Sequence, residues 1–414
     1  VTIRADTIVL GAGMVGVGAA LALQARGRDV AIVERRGEAG RETSYGNAGL
    51  IERASVELYT FPHDIGTIAR TVLGLNPAAR IDWTALPRTL PWIARYFFES
   101  APAKAAEHAR AALPLIERCL SEHMELAQAA GATGLIRKSG WIKAFRSERT
   151  LAAGAREARH IRDFGLTFDA LDARALAELE PNVSGFAGAV VYRDPASCVD
   201  PGGLAAAYAA LFARRGGRLF SGDARSLDQT PQGWTVATSA GPVAAREVVV
   251  ALGPWSDDVF RPLGYDIPLG VKRGYHMHYR AQGNAVLAHP LLDADGGFLL
   301  APMARGIRLT TGAEFAPRDA APSPVQLARV EPLARSAFPL GERVDAEPWM
   351  GSRPCLPDLL PVIGPAPRHQ GLWFDFGHQH HGFTLGPIAG RLLAEMMTGE
   401  TPFADPLPYR ADRF

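Results

Sequence analysis

The chain has 414 residues, 47% hydrophobic and 21% charged, with a formal net charge of +1. That length exceeds one ordinary core and asks for two domains, while the balance excludes a disordered chain and a basic field for nucleic acid. Cys119, Cys198 and Cys355 are far apart with no CxxC, which argues against a disulfide framework or zinc knuckle and fits a reducing compartment. No run of about 20 apolar residues offers a membrane span. The first strand begins within a few residues of Val1, so a cytoplasmic location is the expectation. Lysine occurs only at 104, 138, 143 and 272, and the arginines are scattered rather than gathered into a nucleic-acid footprint.

Asp6 to Arg36 reads as a complete strand–helix–strand unit for a dinucleotide. An apolar strand, Thr7–Leu10, runs into Gly11-Ala-Gly13-Met-Val-Gly16, an Ala-rich helix follows to about Arg26, and Gly27 stops it. Gly11 permits the tight turn, Gly13 lets backbone approach a pyrophosphate, and Gly16 lets the helix pack on the strand. The second strand, Val30–Val33, ends in Glu34, where a carboxylate holds the hydroxyls of an adenosine ribose. An acid there repels the 2′-phosphate of NADP and leaves NAD or FAD.

A glycine-broken loop, Gly37–Gly49, comes next, and then an aromatic stretch to Phe98 broken by Pro77, Pro87 and Pro91. Helices are expected at Glu107–Ala130, Glu148–Phe164, Asp172–Glu180, from Asp200 to about Arg215, and at Val325–Phe338. Strands are expected at Ser139–Phe145, Gly217–Phe220, Gly233–Thr238, Ala245–Leu252, Tyr275–Tyr279, Gly297–Ala301, Ile307–Thr311 and Leu372–Phe376, with a closing helix Ile388–Thr398. Helix-rich and strand-rich blocks alternate without a clean break, which suggests two domains built from segments that cross back and forth.

Three further segments carry a resemblance. Glu247–Trp255 is a buried strand running into Gly253-Pro-Trp255. Gly351-Ser-Arg353-Pro-Cys-Leu-Pro-Asp358-Leu-Leu-Pro361-Val-Ile-Gly364 is similar to a G-x-R-P…P-D-x-x-P-x-I-G signature, and Gly377-His378-Gln-His-His-Gly382-Phe-Thr384 to a G-H-x-x-x-G-x-T motif. With the first unit they resemble, over nearly the whole chain, the FAD-dependent D-amino-acid oxidase/dehydrogenase superfamily, which includes glycine and sarcosine oxidases. Glu42-Thr-Ser44-Tyr-Gly-Asn47-Ala48-Gly49 and Lys272-Arg-Gly-Tyr275 resemble its bacterial D-amino-acid dehydrogenase branch. The loop Gln379-His380-His381 departs from that branch, where small apolar residues are usual, and points to a different substrate pocket.

The resemblance implies an α/β fold in which a Rossmann-type FAD-binding domain (1–75, 198–262 and 348–414) is interleaved with an α+β substrate domain on an antiparallel sheet (76–197 and 263–347). It implies non-covalent FAD held by Gly11, Gly13, Gly16, Glu34, Arg35, Ser44, Asn47, Ala48, Gly49, Ala224, Ala251, Gly253, Gly377, Gly382, Phe383 and Thr384. Arg353 is expected to grip a substrate carboxylate with two parallel hydrogen bonds. Tyr275 is expected to add a hydroxyl to it, and His380 and His381 to shape the pocket. Alternating histidines 378 and 380 suggest a metal only in isolation; no carboxylate or cysteine cluster joins them, and none is expected.

Gly382-Phe-Thr384-Leu-Gly386-Pro387 is suited to open a helix with Pro387 in its first turn, pointing its positive end at the flavin. The implied reaction is oxidative deamination of a small amino acid, with a D-amino acid expected. Hydride passes from the α-carbon to flavin N5, the ammonium having lost its proton to solvent or a nearby group, and the imine hydrolyses to a 2-oxo acid. A D-hydroxyproline-type dehydrogenase, a glycine/sarcosine-like oxidase and the flavin subunit of a multi-protein dehydrogenase stay open. So does the electron acceptor: quinone, dye, partner subunit or oxygen. Trp83, Trp92, Tyr96, Phe97 and Phe98, interspersed with Arg88 and Arg95, allow either a buried substrate-domain helix or peripheral contact with the inner face of the membrane.

Overall fold

The computed structural model describes residues 2–56 and 58–414; Val1 and Glu57 lie outside the described residues. Two large sheets organise them. The first has eight strands. Ile3–Leu10 pairs in parallel with Val30–Glu34 on one side and Val243–Val250 on the other. Arg218–Ser221 extends the sheet beyond Val30–Glu34, and Leu372–Phe376 runs parallel to the end of Val243–Val250. Five parallel strands thus finish at one edge, the place where doubly wound sheets bind ligands. Val30–Glu34 is buried along its whole length, as expected for a strand covered on both faces.

The second sheet has eleven strands, most of them antiparallel. Its spine is Gly270–Ala281, longer than the Tyr275–Tyr279 expected from alternation because its first residues pair with Trp349–Cys355. That pairing moves Trp349–Cys355 into the second sheet, although the sequence boundary at 348 assigned it to the nucleotide segments. Lys272 stands directly opposite Arg353 in the register.

Helix limits follow local chemistry. Asp200 accepts from the Gly203 N–H at 2.9 Å and starts Pro201–Arg214 with proline in the first turn. Met14–Gln24 has no side-chain cap of its own; Ser44 Oγ, from the distant loop, accepts from Met14 N–H at 2.9 Å.

The last helix, Gly382–Thr398, starts six residues before the expected Ile388 and carries Pro387 inside it rather than in the first turn. Proline there cannot bond the carbonyl four residues back. That carbonyl, of Phe383, instead meets His123 Nε2 at 2.8 Å, so the helix runs on through the proline. The same helix packs on Met14–Gln24 through glycine: a Cβ on Gly18 would lie 2.7 Å from the Gly386 carbonyl oxygen.

Candidate active site

A cavity of about 1420 Å³ runs from the edge of the first sheet to the face of the second, beyond the roughly 300–1,000 Å³ of a drug-sized site. At its nucleotide end the main chain does most of the shaping. Gly11 adopts φ +101°, and a Cβ there would sit 2.6 Å from the Ala251 carbonyl oxygen. Around Gly13 an added Cβ would meet only Ser44 Oγ, at 3.4 Å, so the turn leaves room for a ligand. Glu34 Oε2 accepts from Ala12 N–H at 2.8 Å, while Oε1 has only a long contact with Arg36 N–H at 3.5 Å. Arg35 lies over the Trp255 ring at 4.0 Å and pairs with Glu42. Ala224, Ala251 and Gly253 line the same end.

Ser44, Asn47 and Ala48 line the middle of the cavity. Their loop is fixed by a device the sequence does not advertise. Arg308, from the second sheet, donates to the carbonyls of Tyr45 and Asn47, and its Nε donates to His278 Nε2 at 3.0 Å. Asp345 holds the other ring nitrogen of His278 at 2.7 Å. Gly382, Phe383 and Thr384 line the cavity at the start of the last helix. The first intrahelical bond is Leu385 N–H to His381 O, which leaves their three N–H groups without an acceptor in the helix.

Three expected cofactor contacts fall behind the cavity wall instead. Gly16 packs against the Gly11 carbonyl, where a Cβ would come within 2.0 Å. Gly49 turns with φ +77° against Cys198. Gly377 turns with φ +82° against Leu356. Each shapes the wall through a close approach that only glycine allows.

At the substrate end, side chains converge from three elements. Arg353 donates to the carbonyls of Arg273 and Gly312 at 3.2 and 3.1 Å, and it has no acidic partner among the described residues. Gly274 makes room for it: a Cβ there would lie 2.6 Å from Arg353 Nη2. Lys272 places Nζ 3.7 Å from the centre of the Tyr96 ring and likewise has no carboxylate. Burial pushes the Lys272 ammonium down to about 8 and lowers the Arg353 guanidinium as well. Like charges directly opposite on neighbouring strands repel, so an anion between them would relieve the repulsion. Lys272 was missed as a site residue because nothing in a sequence marks a cation as lacking a counter-charge.

Tyr275 differs from expectation. It is buried, its hydroxyl donates to Glu314 Oε2 at 2.9 Å and accepts from Ser323 N–H at 2.7 Å, and so it is committed away from a substrate carboxylate. Glu314 also pairs with Arg273 at 2.8 Å and Arg80 at 2.6 Å, so the tyrosine belongs to a buried ionic knot.

The departing loop lines the cavity throughout. Gln379 is held at φ +56°, a left-handed conformation unusual for its type, and donates to the Leu356 carbonyl. His381 Nε2 lies 3.0 Å from Ser55 Oγ, and burial pushes its imidazole down to about 4. The His380 ring lies 3.8 Å from that of His381, tilted by 48°, and meets Tyr59 edge-on at 4.7 Å. Burial, then the charges of His381, Arg353 and Lys272, hold it well below the usual histidine range, so both rings are neutral at pH 7. Among the described residues His380 Nε2 and Gln379 Oε1 are buried without a partner, and the buried Asp375 carboxylate has only His378 Nε2, at 3.3 Å. Buried polar atoms of that kind are normally satisfied, and here they border a cavity with space for a ligand.

A glycine-shaped cradle at the ends of parallel strands, opening onto unpaired cations, defines a dinucleotide-dependent oxidoreductase. The family described as FAD dependent oxidoreductase (DAO) matches residues 6–396, and the chain belongs to that family. Its cofactor is FAD. The chain is 31% identical to D-amino acid dehydrogenase 2 of Mesorhizobium japonicum, over 96% of this chain and 97% of that one. It is 30% identical to a D-amino-acid oxidase of Bradyrhizobium diazoefficiens, over 98% of each. In fold it is similar to glycine oxidase from Geobacillus kaustophilus, with a TM-score of 0.77, 23% identity and full coverage of both chains.

The residues present fit this cofactor. Glu34 offers a carboxylate oxygen with one long contact, Gly13 leaves open space, and the free N–H groups at the start of the last helix suit an anionic ring edge.

Proposed function

We propose that this protein oxidises the C–N bond of a small amino acid, with a D-amino acid as substrate, giving an imine that water hydrolyses to the 2-oxo acid. One observation carries the reading: two adjacent cations without acidic partners among the described residues, Arg353 and Lys272, face into the cavity that the dinucleotide motif opens. A carboxylate placed there relieves their repulsion and forms charge-assisted hydrogen bonds with the guanidinium fork. When bound, FAD supplies the hydride acceptor. Gly11, Gly13, Glu34, Ser44, Asn47 and Ala48 would hold it, with Gly382, Phe383 and Thr384 at the ring end. Arg353 orients the α-carbon by fixing the carboxylate, and His380, His381 and Tyr59 close the pocket around the side chain.

The acceptor of the electrons is read from the surface. Ile65, Val72, Leu73, Leu75, Trp83, Leu90 and Phe98 are exposed within one region, with Arg70, Arg88 and Arg95 exposed among them. No described helix is long and apolar enough to cross a membrane. This surface supports a peripheral membrane contact and a quinone acceptor, although Trp92 and Tyr96 of the same helix turn inward, bonding the carbonyls of Pro268 and Tyr59.

The test is anaerobic bleaching of the purified yellow protein with D-, L-, N-methyl and cyclic amino acids. Bleaching by D-amino acids is expected, with slow recovery in air and fast recovery with a quinone. Bleaching only by proline-like or N-substituted glycines would transfer the reading to those substrates; no bleaching would overturn it.

A further inference from the structure

An amino acid at neutral pH also carries an ammonium, which Arg353 and Lys272 repel. Apart from Glu34 at the nucleotide end, the same cavity holds one carboxyl group with no ion pair among the described residues, that of Glu52. Glu52 is 8% exposed and sits on the short strand-to-loop turn after Leu50–Ile51, its N–H donating to Thr384 Oγ1 at 3.2 Å. It is therefore fastened to the first turn of the last helix, beside the expected flavin end. Tyr59 and His380, in edge-on contact at 4.7 Å, link its surroundings to the two cations: the Tyr59 phenol feels the Glu52 charge, and the His380 ring feels those of Arg353 and Lys272.

We propose that Glu52 receives the substrate's amino group, its carboxylate binding the ammonium and taking one proton from it. The step breaks one N–H bond and forms one O–H bond, giving a neutral amine and a carboxylic acid with no change of oxidation state. It rests on the amino-acid reading above. A free amine is needed because its lone pair supports the positive charge that develops at the α-carbon as hydride leaves. Ser55 lies beside the carboxyl, its N–H donating to the Glu52 carbonyl at 3.2 Å, and its hydroxyl reaches His381 Nε2 at 3.0 Å.

Burial pushes the Glu52 carboxyl up to about 7, with Ser55 pulling the other way. The other groups facing it are uncharged near that pH: burial raises both the Tyr59 phenol and the Cys119 thiol, and His381 is neutral. Arg53, the adjacent cation, acts on Cys119. Glu52 is thus an acid below about 7 and a proton acceptor above it, matched to a general base at physiological pH.

The experiment compares holoenzyme and its Glu52→Gln variant with two ligands, read by perturbation of the flavin spectrum above the Glu52 transition. 2-Aminoisobutyrate has carboxylate and ammonium but no α-hydrogen, so it binds without being oxidised; isobutyrate lacks the amine. The wild type is expected to prefer 2-aminoisobutyrate. Glu52→Gln is expected to weaken that ligand about 30-fold or more and isobutyrate less than about twofold. The acid limb of kcat/KM near 7 is expected to vanish in Glu52→Gln, activity then rising only toward the pKa of the free ammonium.

Equal binding of the two ligands by the wild type, equal weakening of both in the variant, or an unchanged acid limb would overturn the assignment. Should Glu52→Gln fail to retain FAD, Glu52→Asp replaces it, with a smaller loss still confined to the amine-bearing ligand. Failure of every amino acid to bleach the wild type would overturn the amino-acid reading itself, a result separable from any of these.

Discussion

The two ends of the cavity are built from different materials. At the nucleotide end the decisive groups are main-chain: the Gly11 turn, the Ala12 N–H that orients Glu34, and the open N–H groups before Leu385. At the substrate end they are side chains from separate strands and loops, among them Arg353, Lys272, Glu52 and His380, each missing a counter-charge or a hydrogen bond among the described residues. Main-chain sites tolerate almost no change in shape and recognise what every dinucleotide shares. Side-chain sites keep their shape when altered and decide which small molecule enters. Substitution at the first end should therefore cost the holoenzyme, and at the second substrate binding and turnover with FAD retained.

The largest expected effect follows from Gly16→Val. A Cβ there would stand 2.0 Å from the Gly11 carbonyl oxygen, so the strand and helix must separate. The purified variant is expected to lack the flavin absorption entirely; a yellow Gly16→Val protein would break the comparison. Next comes Arg353→Met, which keeps the volume and removes the carboxylate fork. Its kcat/KM is expected to fall about 1,000-fold with FAD content unchanged.

Lys272→Met is milder, because Arg353 remains. Lys272 carries its charge below about 8 and loses it above. Substrate carboxylate should therefore bind more weakly as pH rises through that value, and Lys272→Met should raise KM about tenfold and abolish this alkaline limb. The smallest effect belongs to His123→Phe, which leaves the Phe383 carbonyl without its donor. A stability loss of about 1–3 kcal/mol is expected in denaturant titration, with the amino-acid preference retained.

The first end was legible in sequence because it is local. Strand, glycine turn, helix and Glu34 lie within one continuous segment, and the spacing of that segment is its geometry. Arg353 was legible through a motif that fixes it on a strand. Lys272 and Glu52 were not, since what marks them is the absence of a partner, and absence has no spacing. Tyr275 was misread because Glu314, which claims its hydroxyl, is brought beside it only by the pairing of Arg273 with Glu314 across two strands. The last helix was placed too late because a proline six residues in normally ends a helix, and His123, which makes this one tolerable, lies on Pro102–Ala130.

The contact between Gly18 and Gly386, and that between Ala19 and Gly390, joins the first helix of the chain to its last. Strand Leu372–Phe376 likewise completes the first sheet only beside Val243–Val250. During synthesis the glycine turn emerges well before the helix Gly382–Thr398 that packs behind it. Its apolar helix must wait for that distant partner, and non-local pairing of this kind slows folding. Capture of the flavin is then expected to report completed folding: a chain cut short before Gly382 has no finished site to fill.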